Sequence, residues 1–143
     1  MQPILGREDR GVIVLCKTSN PGASQMQDVL LADGRMYYEF VADTVAIEWN
    51  VRENCGLVVG ATYHQQLARL RDRVPRLPML IPGIGTQGGN LEETARAAFP
   101  KGRAVAPAMI NTSSGFMYQP STVRSAAQLI LINECVRTVR AGG

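Results

Sequence analysis

Residues 83–89 read Gly83-Ile84-Gly85-Thr86-Gln87-Gly88-Gly89, between the apolar run Met79-Leu80-Ile81 and the helix-opening pair Asn90 and Glu93. Glycine lets a backbone turn sharply and approach a ligand, because no Cβ stands in the way. The first N–H groups of a helix have no partner within it, which suits an anion such as phosphate. Gly83-x-Gly85-x-x-Gly88 also matches the dinucleotide fingerprint, after a strand and before a helix. That fingerprint wants an acidic residue at the end of the next strand to hold a ribose. Here the next strand ends in Asn111, and Pro82 precedes the first glycine. Three readings stay open: a phosphate loop, a dinucleotide loop and a structural turn. The residues fit the phosphate loop best.

A second loop, Thr112-Ser113-Ser114-Gly115, follows the next strand. Ser113 and Ser114 read as phosphate ligands or strand-end caps. No Gly-x-Ser-x-Gly elbow is present to make either a nucleophile. His64 is the single histidine, expected to be exposed in the first turn of a helix, and a metal cluster finds no second histidine. Lys17 and Lys101 are the two lysines. Lys17 lies near a strand's C-terminal end, where it either points into a site or is solvated or structural.

The elements that must position these residues alternate. Residues 11–18 form a continuous apolar run, as in a parallel strand covered on both faces, and Pro21-Gly22 ends it. A helical turn is expected near 25–31. A longer helix follows over 35–49, capped by Asp33, with Met36, Phe40, Val41, Val45 and Trp49 near one face. Strand two is Cys55 to Gly60. Thr62 and Gln65 have capping-box spacing and start a helix carrying Leu67, Leu70 and Val74, closed by Pro75 and Pro78. Strand three is Met79 to Pro82, and Asn90 and Glu93 cap the next helix. Strand four is Ala106 to Asn111, and a last helix runs over 121–140. Four strand–helix units in series give an α/β fold. An open doubly covered sheet and half of a (βα)8 barrel both fit. A complete barrel needs roughly 250 residues, so this chain cannot close one alone. The two glycine- and serine-rich loops favour the barrel, whose last two strands commonly bind phosphate.

The chain has 143 residues, 45% hydrophobic and 19% charged, with net charge +3. This suits one globular domain over 1–143 and excludes disordered and fibrous classes. Arg69, Arg71, Arg73 and Arg76 are the densest basic group, and read as a solvated helix face more readily than a nucleic-acid stripe. No apolar stretch is long enough to span a bilayer, and residues 1–10 lack a signal peptide's apolar core. Cys16, Cys55 and Cys135 lack metal spacing. They read as reduced thiols of a cytoplasmic protein.

Three segments taken together resemble one family. They are Leu15-Cys16-Lys17-Thr18-Ser19-Asn20-Pro21-Gly22-Ala23, Gly56-Leu57-Val58-Val59-Gly60-Ala61-Thr62, and Leu80-Ile81-Pro82-Gly83-Ile84-Gly85-Thr86-Gln87-Gly88-Gly89. In this order they are similar to the second half of orotidine 5'-phosphate decarboxylase of the bacterial type 2 group, from about Pro3 to the last helix. The resemblance implies the C-terminal half of a (βα)8 barrel and a lyase that uses no cofactor and no metal. That lyase makes UMP and carbon dioxide from orotidine monophosphate in pyrimidine biosynthesis. By resemblance Ser19 would hydrogen-bond the pyrimidine and Pro82 would line the base pocket. Gln87 and the backbone from Gly88 onward would hold the phosphate, with Ser113 and Ser114 in the adjoining loop.

The family's catalytic Lys–Asp array, Asp-x-Lys-x-x-Asp, does not occur in this sequence, so no catalytic residue is assigned to this chain. The family also places Ser-Arg-Gly after the final strand, where this chain has Ser113-Ser114-Gly115, losing a planar bidentate cation. Pro3-Ile4-Leu5-Gly6 resembles the last strand-end loop of the first half-barrel. The implied role is the base- and phosphate-binding half of the decarboxylase. Its partners would be orotidine monophosphate or UMP, and either a complementary N-terminal half or further copies of itself. No nucleic acid and no membrane is expected. The alternative is a non-catalytic half-barrel that self-associates and binds phosphate.

Overall fold

The computed structural model describes residues 2–85, 88–102 and 104–111. Its sheet holds β1 (Val12–Lys17), β2 (Cys55–Val59), β3 (Met79–Pro82) and β4 (Ala108–Asn111), in the order β1-β2-β3-β4. All three ladders are parallel. Helices α1 (Gln2–Leu5), α2 (Ala23–Gln27), α3 (Tyr37–Thr44), α4 (His64–Arg73) and α5 (Leu91–Ala98) precede, separate or connect the strands. Sequential parallel order is that of half a (βα)8 barrel, as the sequence predicts, and it rejects the open sheet with reordered strands. Among the described residues β1 and β4 are the edges. The expected helix over 121–140 lies outside the described residues.

Side chains alternate across a strand, and the two faces of this sheet differ. On one face Leu57, Val59, Met79 and Ile81 are at most 1% exposed. They join Tyr38, Ala42, Val45, Leu67, Leu70 and Ala98 from the helices in one core. Each Leu or Ile buried there contributes about 1.5–3 kcal/mol. On the other face the register aligns Leu15 with Val58, Val58 with Leu80, and Leu80 with Met109. Leu15 is 65% exposed and Met109 54%. The strands are therefore covered on one face, not on both as the apolar run of β1 suggests.

Several local expectations change. Asp33 does not cap a helix. Its carboxylate accepts the Arg35 N–H at 3.0 Å, and α3 starts at Tyr37, where Glu39 accepts the Met36 N–H at 2.9 Å. The helix expected to 49 continues as a π turn over Val45–Trp49 and a 3-10 turn over Asn50–Arg52. Asn50 Oδ1 then takes the Cys55 N–H at 2.8 Å, which fixes the start of β2. The short helix near 25–31 is α2, ending at Gln27. Residues Pro3–Leu5 lie in the helical turn α1, not in a loop. The Asn54 side chain holds the segment after it, donating to the carbonyls of Leu5, Arg7 and Arg10.

Arg69, Arg73 and Arg76 are exposed, as the solvated-face reading expects, and Arg71 departs from it. Arg71 is fully buried, and its Nη1 donates to the Leu77 carbonyl at 2.9 Å. Burial pulls its pKa down to about 10. Arg73 forms two bonds to Asp43, from Nε at 2.6 Å and from Nη2 at 2.7 Å, and Arg35 Nη1 reaches the same carboxylate at 2.7 Å. Asp43 thus joins α3 to α4. The Arg73 bond, before burial or Arg35, holds its carboxyl below the usual carboxylate range.

Asp43→Asn should lower stability at pH 7 by about 1 kcal/mol, the range of a partly exposed ion pair. The wild type's advantage is present above the unfolded carboxyl's pKa, about 3.9, and is lost as pH falls through the lowered folded value. Urea denaturation of both proteins from pH 7 to pH 3 checks this, and the two midpoints should converge at the acid end.

Candidate functional site

The loops after β1, β2 and β3 leave the sheet at the same end, as parallel strands require. The β1 ladder slips between Leu15 and Lys17, so that Lys17 pairs with Val59. Such a bulge re-aims side chains locally. Cys16 and Lys17 are consequently both buried. Cys16 Sγ lies 3.1 Å from the Tyr38 carbonyl, and burial pushes its thiol pKa up to about 12, which leaves it inert. Lys17 Nζ donates to both Asp28 oxygens at 2.8 Å and sits 4.4 Å from the centre of the Tyr63 ring. This lysine is structural. The loop beyond it is held as well: Gln27 accepts the Thr18 N–H at 2.9 Å and donates to the Thr18 hydroxyl at 3.2 Å.

Ser19 follows, half-buried. Thr62 does not cap α4, whose N-cap residue is Tyr63 and makes no side-chain cap bond. Instead its hydroxyl is hydrogen-bonded to the Ser19 hydroxyl, Oγ1 to Oγ at 3.0 Å. Gly60 lies beneath the pair. A Cβ on Gly60 would stand 2.2 Å from Ser19 Oγ, so only glycine leaves that serine its place. The Gly60 N–H donates to the Lys17 carbonyl at 2.7 Å and the Ala61 N–H to the Pro82 carbonyl at 2.8 Å. Ser19, just past β1, and Pro82, the last residue of β3, are thus tied through residues 60–62.

After Pro82 the glycine loop turns where only glycine sits easily. Gly83, Gly85 and Gly88 have φ of 104°, 89° and 83°. The Gly89 N–H closes the loop onto the Gly83 carbonyl at 3.1 Å. A Cβ on Gly89 would meet that carbonyl at 2.6 Å and the Ala61 Cβ at 2.8 Å. Asn90 Oδ1 caps α5 by accepting the Glu93 N–H at 3.1 Å, as its type and spacing predict. Buried Thr94 donates toward the carbonyls of Asn90 and Ala61 at 2.6 and 3.3 Å. The structure therefore brings Ser19, Pro82 and the glycine loop to one end of the sheet, with Gly88 exposed. Gln87, Ser113 and Ser114 lie outside the described residues. His64 is partly exposed, its Nδ1 3.6 Å from the Glu93 carboxylate. Among the described residues no group of three His, Cys, Asp or Glu could hold a metal ion, and no helix is long and apolar enough to cross a membrane.

With this geometry in place, comparison with known proteins is decisive. The model of the orotidine 5'-phosphate decarboxylase / HUMPS family matches residues 3–130. The chain belongs to that family. A decarboxylase from Bordetella avium is 50% identical over 119 residues, covering 82% of this chain and 43% of the relative. One from Herpetosiphon aurantiacus is 41% identical over 138 residues, covering 92% of this chain and 49% of the relative. The solved structure of Leishmania donovani OMP decarboxylase superposes with a TM-score of 0.80 at 39% identity, covering 94% of this chain and 51% of that one. The chain spans about half the length of the relatives it matches, and its four strands are part of the decarboxylase barrel.

Asp28 and Tyr63 have no signal in the sequence, because their partner Lys17 is remote in the chain. Thr62 carried a misleading one, its capping spacing. Lys17→Met should cost about 3 kcal/mol, the lower end for breaking a buried pair, since Asp28 keeps some contact with water. Asp28→Asn should cost at least as much, because it strands the fully buried ammonium. Chemical denaturation of the two variants against wild type measures the order, and equal stability of all three would refute it.

Proposed function

We propose that this chain supplies the base- and phosphate-binding half of an orotidine 5'-phosphate decarboxylase barrel, acting in UMP biosynthesis in the cytoplasm. It forms one partial (βα)-barrel domain over 1–143. Ser19 bonds the pyrimidine and Pro82 lines the base pocket. Gln87, the Gly88 backbone and the Ser113-Ser114 loop hold the phosphate. The observation that carries this is the union of Ser19, Pro82 and the glycine loop at one end of a parallel sheet, in a chain of the decarboxylase family. The ligand is orotidine monophosphate or UMP, and phosphate contacts far from the reacting carbon contribute remote binding energy. The acid that protonates the carbanion comes from a first half-barrel carrying the Lys–Asp array, since Lys17 is committed to Asp28.

Amide shifts at Gly88–Asn90 and Ser19 on titration with UMP are expected. Ser114→Arg should tighten UMP binding by about tenfold or more, the worth of one charge-assisted hydrogen bond. No shift in either protein would show that the site is not assembled.

Purified chain should release no carbon dioxide from orotidine monophosphate above background, because proton transfer needs a positioned acid. Adding the first half of the Bordetella avium relative should restore release. Turnover by the chain alone, lost on Lys17→Ala, would overturn the assignment.

A second reading, a self-associating half-barrel, is favoured by the bare sheet face. Ile13 and Leu15 on one edge strand and Met109 on the other are all about half exposed or more, and unpaired edges invite strand pairing. Sedimentation across concentrations should then find a dimer or larger species, and a monomer throughout would refute this reading.

A further inference from the structure

Two observations at the end of β2 concern Ser19 and are not used by the ligand reading itself. The first is the hydrogen bond between the Thr62 and Ser19 hydroxyls, 3.0 Å apart, across 43 residues of chain. The second is the missing Cβ at Gly60, where any side chain would come within 2.2 Å of the same oxygen. Gly60 itself is fixed by its N–H bond to the Lys17 carbonyl. Ser19 is therefore not a serine on a free loop tip. Its oxygen lies in a slot, backed by Gly60 and addressed from one side by a second hydroxyl.

A hydroxyl has one proton and two acceptor positions. The bond between the two hydroxyls takes up one of these positions on Ser19 and, with Gly60 behind it, leaves the oxygen one rotamer. We propose that Thr62 is a positioning residue that fixes the Ser19 rotamer, so that the hydroxyl is presented to the polar edge of the ligand ring. This deepens the base-binding reading of Ser19 and rests on it. Thr62 itself touches no ligand. It sets the rotamer of the residue that does, and it has no part in holding phosphate, which falls to the glycine loop.

The two roles separate by ligand. UMP presents both ring and phosphate, and ribose 5-phosphate presents the phosphate without the ring. Thr62→Val keeps the shape and removes the hydroxyl, and Thr62→Ser keeps the hydroxyl. Calorimetric titration should find Thr62→Val binding UMP about tenfold more weakly, the worth of one hydrogen bond, with ribose 5-phosphate unchanged. Thr62→Ser should bind both as wild type does. Equal weakening of both ligands in Thr62→Val, or no rescue in Thr62→Ser, would overturn the proposal.

A ligand-free measurement separates its failure from that of the functional reading. The Hα–Hβ couplings of Ser19 should report one rotamer in wild type and Thr62→Ser, and rotamer averaging in Thr62→Val. Unchanged couplings in Thr62→Val refute the role of Thr62 even if UMP binds. Wild type binding neither ligand refutes the functional reading, while the couplings still decide on Thr62.

Discussion

Everything in this molecule hangs on the two-residue period of four parallel strands whose helices pack on one side. Parallel pairing without a shift keeps like positions in line across the sheet. Leu57, Val59, Met79 and Ile81 therefore fall together on the helix side, and Leu15, Val58, Leu80 and Met109 on the other. The helices satisfy the first set completely. The second set is as apolar as a core and only partly buried. In a closed barrel such residues fill the interior in layers, so this half carries half of an interior.

The same parallel order gathers the strand ends. Each strand contributes a loop at one end, and the loops are joined by backbone bonds rather than by side-chain charge. Ala61 reaches Pro82 and Gly60 reaches Lys17, while Gly89 closes its own loop onto Gly83. Close approach is possible because the residues at contact are Gly60 and Gly89. An alanine at either would stand within van der Waals radii of a neighbouring oxygen. Loops tied to one another at a strand end hold the groups of a ligand site in fixed relation, and binding then loses less to ordering.

Much of this was legible in the sequence. Apolar runs ending in small residues gave four parallel strands in order, because buried strands and their exits have a plain composition. Asn90 gave its cap because an N-cap is a local interaction between residues three apart. What was not legible involved distance along the chain. Asp33 and Thr62 had suitable types and spacings for caps, but Asp33 bonds its near neighbour Arg35 and Thr62 a serine 43 residues away. Arg71 looked solvated beside three other arginines, yet the helix phase turns it into the core. Lone patterns of polar residues state what a side chain can bond, and only the fold states what is within reach.

The bulge in β1 has a wider meaning. Whether a lysine is available for chemistry here depends on counting positions along a strand as much as on the presence of the lysine. One extra residue between Leu15 and Lys17 takes the ammonium out of the alternation of Ile13 and Leu15 and delivers it to a carboxylate near the end of α2. Two sequences with the same residue types and a one-residue difference in pairing would thus differ in which groups face a ligand. For this sheet the ladder register works as an inventory control on reactive groups, and insertions, rather than substitutions, are the events that would rewrite it.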